Sequence, residues 1–208
     1  MSPTYASRRL ENAIRRTGVR FVAGVDEVGR GCLAGPVMAG AVVLDPDRLV
    51  SGIADSKLLS ADMRERLFDE IVRHALAWTV TRVDAAEIDR LNIHRASLQA
   101  MREAVLALAP TPEFVLVDGF RIPGLAMPQR ALIGGDRRST AIAAASILAK
   151  VTRDRLMVSL HVDDPRYGFD QHKGYATRQH LDAVARFGYS SLHRKTFRQP
   201  TLFDTIPS

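Results

Sequence analysis

The chain has 208 residues, 46% of them hydrophobic and 25% charged, which predicts one sizeable folded domain or one domain with a small appendage. Its 29 basic and 23 acidic residues leave a net charge of +6, a balance that favours an anionic partner, with nucleic acid the first candidate. The lone cysteine, Cys32, excludes an internal disulfide and any zinc site built on paired cysteines.

In chain order, residues 1–19 read as a polar lead-in with a short basic helix and contain no apolar core of signal-peptide length. Residues 21–25 form an apolar strand pattern that ends in adjacent acids, Asp26 and Glu27, followed at once by Gly29-Arg30-Gly31. Two carboxylates side by side repel unless a cation pairs with them. The glycines let backbone approach a ligand, and Arg30 offers donors for a phosphate or sugar. Two nucleotide-loop readings fail. Residues 29–34 fit the loose dinucleotide fingerprint, but that motif opens a helix, whereas Gly35-Pro36 leads into a strand over 37–44. Residues 24–30 have P-loop spacing without its Lys-Ser/Thr, and their acids would repel phosphates.

Asp45-Pro46-Asp47 predicts a turn and residues 51–57 a loop. Ser60 caps a helix over 61–77, on the recurrence of Leu67, Ile71 and Leu76. Residues 78–83 alternate like a strand, with Trp78 expected in the core; Asp84, Glu87 and Asp89 read as a solvated helix start. A helix over 94–109 stops at Pro110 and Pro112. A buried-strand pattern over 114–117 ends at Asp118, and another strand over 129–133 runs into Gly134-Gly135-Asp136. A long alanine-rich helix follows over 139–161, then a basic aromatic loop over 166–176 and a last helix over 177–187. The expected class is α/β, with helices around one central mixed sheet.

Acids thus stand at three strand ends: Asp26-Glu27, Asp118 and Asp136. Ends of neighbouring strands converge in space, and an oxygen-only ligand set suits magnesium or manganese. Two such ions about 3.5–4 Å apart can activate water and stabilise a leaving phosphodiester oxygen. In a basic chain, phosphodiester hydrolysis is the chemistry this pattern supports best.

The segment Gly24–Pro36 resembles the N-terminal signature of bacterial ribonuclease HII. Further matches follow in that family's order: Asp55-Ser-Lys-Leu58, Val117-Asp-Gly119, Ala143–Asp154, Tyr167-Gly-Phe169, His172–Tyr175 and His193–Phe197, so that the resemblance spans roughly residues 21–197. It implies an RNase H-like fold with a helical C-terminal part. It also implies endonucleolytic cutting of RNA in RNA–DNA hybrids, and on the 5′ side of ribonucleotides within duplex DNA. By motif, Asp26, Glu27, Asp118 and Asp136 are the metal-binding acids, and Gly29, Arg30 and Gly31 form the loop that reads the 2′-hydroxyl. Tyr175 packs on the adjoining deoxyribose, and Lys57 stands near the phosphates. The implied division is a lead-in over 1–19, a catalytic domain over 20–162, a C-terminal substrate-binding part over 163–198 and a flexible tail over 199–208.

The chain departs from the family pattern at Gly134, where lysine is usual, with Arg137 and Arg138 as substitutes for its charge, and at Cys32, where proline is usual and a packed thiol is expected. Asp154 lies about five helical turns beyond Asp136, too far to share its ion, and is assigned a structural pair with Arg153, Arg155 or the C-terminal part. His172 and His193 are candidates for hydrogen-bonding or phosphate contact. A DNA-cutting resolvase-like nuclease fits the acids equally but leaves Gly29-Arg30-Gly31 and Tyr175 unexplained, and a non-catalytic hybrid-binding module has no need of four acids. The tail Gln199-Pro-Thr-Leu-Phe203 resembles the short peptide that docks on the bacterial sliding clamp. A cytoplasmic, monomeric protein without membrane contact completes the expectation.

Overall fold

The computed structural model describes residues 6–197. Helix α1 (Arg9–Arg15) precedes strands β1 (Val22–Val28) and β2 (Val37–Leu44). Helix α2 (Ala61–His74), strand β3 (Ala75–Val83) and helices α3 (Ala85–Leu91) and α4 (Ile93–Leu106) follow. Strands β4 (Phe114–Asp118) and β5 (Gln129–Leu132) lead to the long helix α5 (Thr140–Asp163), then α6 (Phe169–His172) and α7 (Arg178–Phe187). The five strands form one mixed sheet in the order β3-β2-β1-β4-β5, with the first two pairings antiparallel and the last two parallel.

Helices cover both faces of that sheet, which is why every residue of β2 is buried. Val37, Ala39, Ala41 and Val43 join Ala96, Ala100, Met101 and Ala104 of α4 on one face. Val42 and Leu44 join Leu67 and Ile71 of α2 and the alanines of α5 on the other. The approach of α5 depends on two glycines: a Cβ at Gly24 would fall under 3.0 Å from the backbone of Ala141, and one at Gly40 under 3.0 Å from that of Ala145. Helix α5 therefore lies against the two central strands, with Ala141–Ala145 buried.

Several expectations need correction. Helix α2 ends at His74, not 77, because Ala75 already pairs with Leu44 across a bulge. Leu76 then lies within β3 at 43% exposure. Trp78 is not core: on edge strand β3 it meets Phe68 edge-on, with centroids 6.0 Å apart, and keeps 38% of its surface exposed. The lead-in is tied down, since buried Glu11 accepts from Ser139 Oγ (2.7 Å) and from the Ala141 N–H (2.9 Å) at the start of α5. Asp89 is not merely solvated: it accepts from the N–H groups of Lys195 and Thr196, 2.9 Å each, and holds the C-terminal segment. Among the described residues no helix is long and apolar enough to cross a membrane.

Candidate active site

The parallel register of β1 with β4 sets Val25 beside Val117, which brings Asp26 next to Asp118 although they are far apart in sequence. The two acids of β1 lie within the strand, not beyond its end. Asp26 follows Gly24 on the face toward α5, where Ser146 lines the same pocket. Its Oδ1 also accepts from the Glu27 N–H at 2.7 Å. Burial, and then the charges of Glu27 and Asp118, hold the Asp26 carboxyl well above the usual range. Burial also raises Glu27, and Arg30 partly offsets this by donating from Nη1 to Oε1 at 3.1 Å. The other oxygen, Glu27 Oε2, is buried with no hydrogen-bond partner.

Asp118 is oriented by the turn after β5: its Oδ1 accepts from the Gly135 N–H at 2.7 Å. Gly135 fits there because a Cβ would press within 3.0 Å of Ile142. Gly134 has φ +60, a left-handed conformation that glycine takes without strain and lysine does not. The absent lysine's charge is supplied from elsewhere. Lys57 and Arg137 both act on Asp136, whose carboxyl is raised by burial and by the charges of Asp55 and Asp118. Asp136 itself sits in a 3-10 turn beyond the strand rather than at its end.

One pocket of about 250 Å³ gathers Asp26, Glu27, Asp118, Gly29, Arg30, Gly31, Lys57 and Tyr175. Asp136 is outside its lining and reaches the group through Asp118. Three further side chains, Ser56, Ser146 and Lys150, line the pocket and were not singled out from sequence. Ser146 and Lys150 stand four apart on α5, a spacing that puts both on one face and could have flagged them. The Ser56 and Ser146 hydroxyls lie 3.0 Å apart. Tyr175, 41% exposed, lies under Lys150 Nζ at 5.8 Å from the ring centroid, with the buried Cys32 thiol close to its phenol. Cys32 is thus packed, as expected, beneath Tyr175.

Other candidates move elsewhere. Asp154 accepts from Lys150 Nζ at 2.7 Å, not from either neighbouring arginine. His172 and His193 are interior and unavailable to phosphate: His172 Nε2 meets Tyr167 O at 2.7 Å, and His193 Nε2 meets His180 Nε2 at 3.1 Å. Residues 199–203 lie outside the described part of the chain.

In these side-chain positions no three acids, histidines or cysteines among the described residues form a closed cation cage. Glu27 Oε2, buried without a hydrogen-bond partner, and the raised carboxyls of Asp26 and Glu27 nonetheless mark an oxygen-donor set whose negative charge Arg30 meets at one oxygen alone. Such a set fits a hard divalent cation.

The fold is RNase H-like. Ribonuclease H2 from Pyrococcus horikoshii superposes with a TM-score of 0.72 at 26% identity, covering 85% of this chain and 93% of that one. RNase HII from Archaeoglobus fulgidus, solved as a PCNA:RNase HII complex, gives 0.73 at 29% identity, covering 89% and 100%. The family profile described as Ribonuclease HII matches residues 23–200. The chain is 53% identical to the Ribonuclease HII of Mycolicibacterium vanbaalenii over 91% of its own length and 77% of the relative's. It is 48% identical to that of Caldicellulosiruptor saccharolyticus, over 90% and 92%. The chain belongs to the ribonuclease HII family and is a ribonuclease H enzyme.

Proposed function

We propose that this protein hydrolyses RNA in RNA–DNA hybrids and cuts on the 5′ side of ribonucleotides embedded in duplex DNA. The products are 3′-hydroxyl and 5′-phosphate ends, and the role is ribonucleotide removal in replication and repair in the cytoplasm. One observation carries the reading: Asp26, Glu27 and Asp118, the glycine-flanked Arg30 and Tyr175 line a single pocket. A DNA-only nuclease has no use for the last two, because only the 2′-hydroxyl marks a ribonucleotide within DNA.

Asp26, Glu27 and Asp118 would hold magnesium or manganese, with Asp136 contributing from the rim. When bound, a pair of such ions supplies charge neutralisation at the phosphodiester and a water of lowered pKa. The remaining work falls to the chain's own groups. Lys57 and Lys150 bring positive charge to the phosphate, Arg30 is held by Glu27 beside the sugar, and the half-exposed face of Tyr175 takes the deoxyribose.

The test is cleavage of a duplex carrying one ribonucleotide beside an all-DNA duplex and a hybrid, with the cut mapped in each metal. Cutting 5′ to the ribonucleotide, with Asp118→Asn lowering kcat on the order of a hundredfold or more, is expected. Equal cleavage of the all-DNA duplex would falsify the reading. We further propose that Gln199–Phe203 docks on a sliding clamp, Leu202 and Phe203 entering an apolar pocket while Pro200 limits the entropy lost. The PCNA complex of the Archaeoglobus relative supports such docking. Calorimetric titration of the clamp should show binding to the full chain and none to a chain ending at Arg198.

A further inference from the structure

Two buried guanidinium groups lie beneath the Gly29–Gly31 loop and take no part in the chemistry above. Arg194 is fully buried. It donates through Nη2 to the carbonyls of Gly29 (2.6 Å) and Gly35 (2.9 Å), through Nη1 to that of Arg30 (2.8 Å) and through Nε to Gly35 again (3.0 Å). Arg153 of α5, equally buried, donates to the carbonyls of Pro36 (3.0 Å), Ala34 (3.2 Å) and Lys173 (2.9 Å). These acceptors are all main-chain oxygens of the loop and its surroundings. A cation removed from water is costly unless its N–H groups find acceptors, and here the loop provides them.

The backbone around Arg194 is stitched to the same loop. Its N–H donates to Leu33 O at 2.8 Å, the Gly35 N–H donates to Leu192 O at 2.8 Å, and Ala34 bridges His193. Gly29 has φ +87, and a Cβ there would fall under 3.0 Å from Arg153, so loop and guanidinium share one tightly filled space. Peptide planarity makes the arrangement directional. A carbonyl and the N–H of the next residue point opposite ways across their plane. Anchoring the carbonyls of Gly29 and Arg30 on Arg194 therefore aims the N–H groups of Arg30 and Gly31 away from the guanidinium.

We propose that Arg194 is a positioning residue for ribonucleotide selection: from 165 residues along the chain, it sets the orientation of the peptide groups around Arg30. The C-terminal segment is then part of the selection apparatus through the floor of the loop as well as through Tyr175. Lysine cannot replace it, since a point ammonium does not reproduce a planar five-donor fork.

This inference rests on the reading that the loop faces the 2′-hydroxyl, so the experiment separates the two. In Arg194→Lys, cooperative melting and calorimetric manganese affinity should be kept. Amide hydrogen exchange over residues 29–36 should accelerate, and kcat on a single-ribonucleotide duplex should fall on the order of tenfold to a hundredfold with KM little changed. Added guanidinium ion should restore part of the activity of Arg194→Ala and none to Arg194→Lys. Wild-type exchange and kcat in Arg194→Lys would overturn the proposal, as would loss of manganese affinity in step with activity. If the wild-type protein leaves the ribonucleotide duplex uncut, the functional reading falls, and exchange at 29–36 still decides whether Arg194 sets the loop.

Discussion

At the residue scale, the three interior histidines answer to a single proton arrangement. His172 donates from Nε2 to Tyr167 O and accepts at Nδ1 from the Gly174 N–H. His180 donates from Nδ1 to Tyr175 O and accepts at Nε2 from His193 Nε2, while His193 Nδ1 accepts from the Ser190 N–H. Every ring is neutral in this scheme, and each is satisfied. Burial, reinforced by His180, pushes His193 down to about 4, and burial lowers His172 and His180 as well. The sign follows: folded values below the unfolded one mean that these groups support stability above roughly pH 6.5 and withdraw it as pH falls toward 4. We expect the melting temperature to drop over that window, by a loss on the order of 2–3 kcal/mol at pH 4. His193→Gln should flatten the drop, and an unchanged slope in that variant would remove the assignment. The acids behave in the opposite sense. Asp26 is raised by burial and by its neighbours, so its charge opposes folding of the metal-free chain at neutral pH. Metal-free Asp26→Asn should therefore melt above wild type while losing activity, and a lower melting temperature would contradict this.

At the element scale, the close seat of α5 on β1 and β2 decides where Ser146 and Lys150 fall, and it depends on Gly24 and Gly40. Gly40→Ala forces a methyl group into the backbone of Ala145 and should cost about 1–3 kcal/mol in denaturant unfolding, as overpacking does. A cost within error would show that α5 can slide. Glu11 anchors the same helix from α1, and Glu11→Ala leaves a buried hydroxyl and N–H without their acceptor, for a loss of about 1–3 kcal/mol. Much of this layer could be read from sequence. The apolar runs of β1, β2 and β4 and the alanine-rich α5 declared themselves by pattern, and the acids stood out because they interrupt or end such runs. The rest was hidden for identifiable reasons. Leu76 keeps helical spacing with Leu67 and Ile71 but belongs to β3, because the backbone partner at Leu44 outweighs local periodicity. Arg153 and Arg194 carry charges that sequence reading places on a surface, and only carbonyls gathered from elsewhere in the chain make their burial possible.

At the scale of the whole molecule, the net charge of +6 makes substrate capture a salt-dependent property. With Asp118→Asn used to hold a duplex uncut, affinity measured by fluorescence anisotropy should fall at least about a hundredfold between about 50 and about 200 mM salt. A flat response would mean that the basic surplus lies away from the bound duplex. The sheet order carries a different consequence. Asp26 and Asp118 become neighbours only through the parallel pairing of β1 with β4, and α2, β3, α3 and α4 must all be threaded between them. Closing so long a loop is slow compared with forming helices or a hairpin. A chain still emerging from the ribosome, or one that has lost β4, holds these acids singly. The candidate site is therefore assembled only once β4 has paired with β1, and we expect a fragment that ends before β4 to leave a ribonucleotide-bearing duplex uncut.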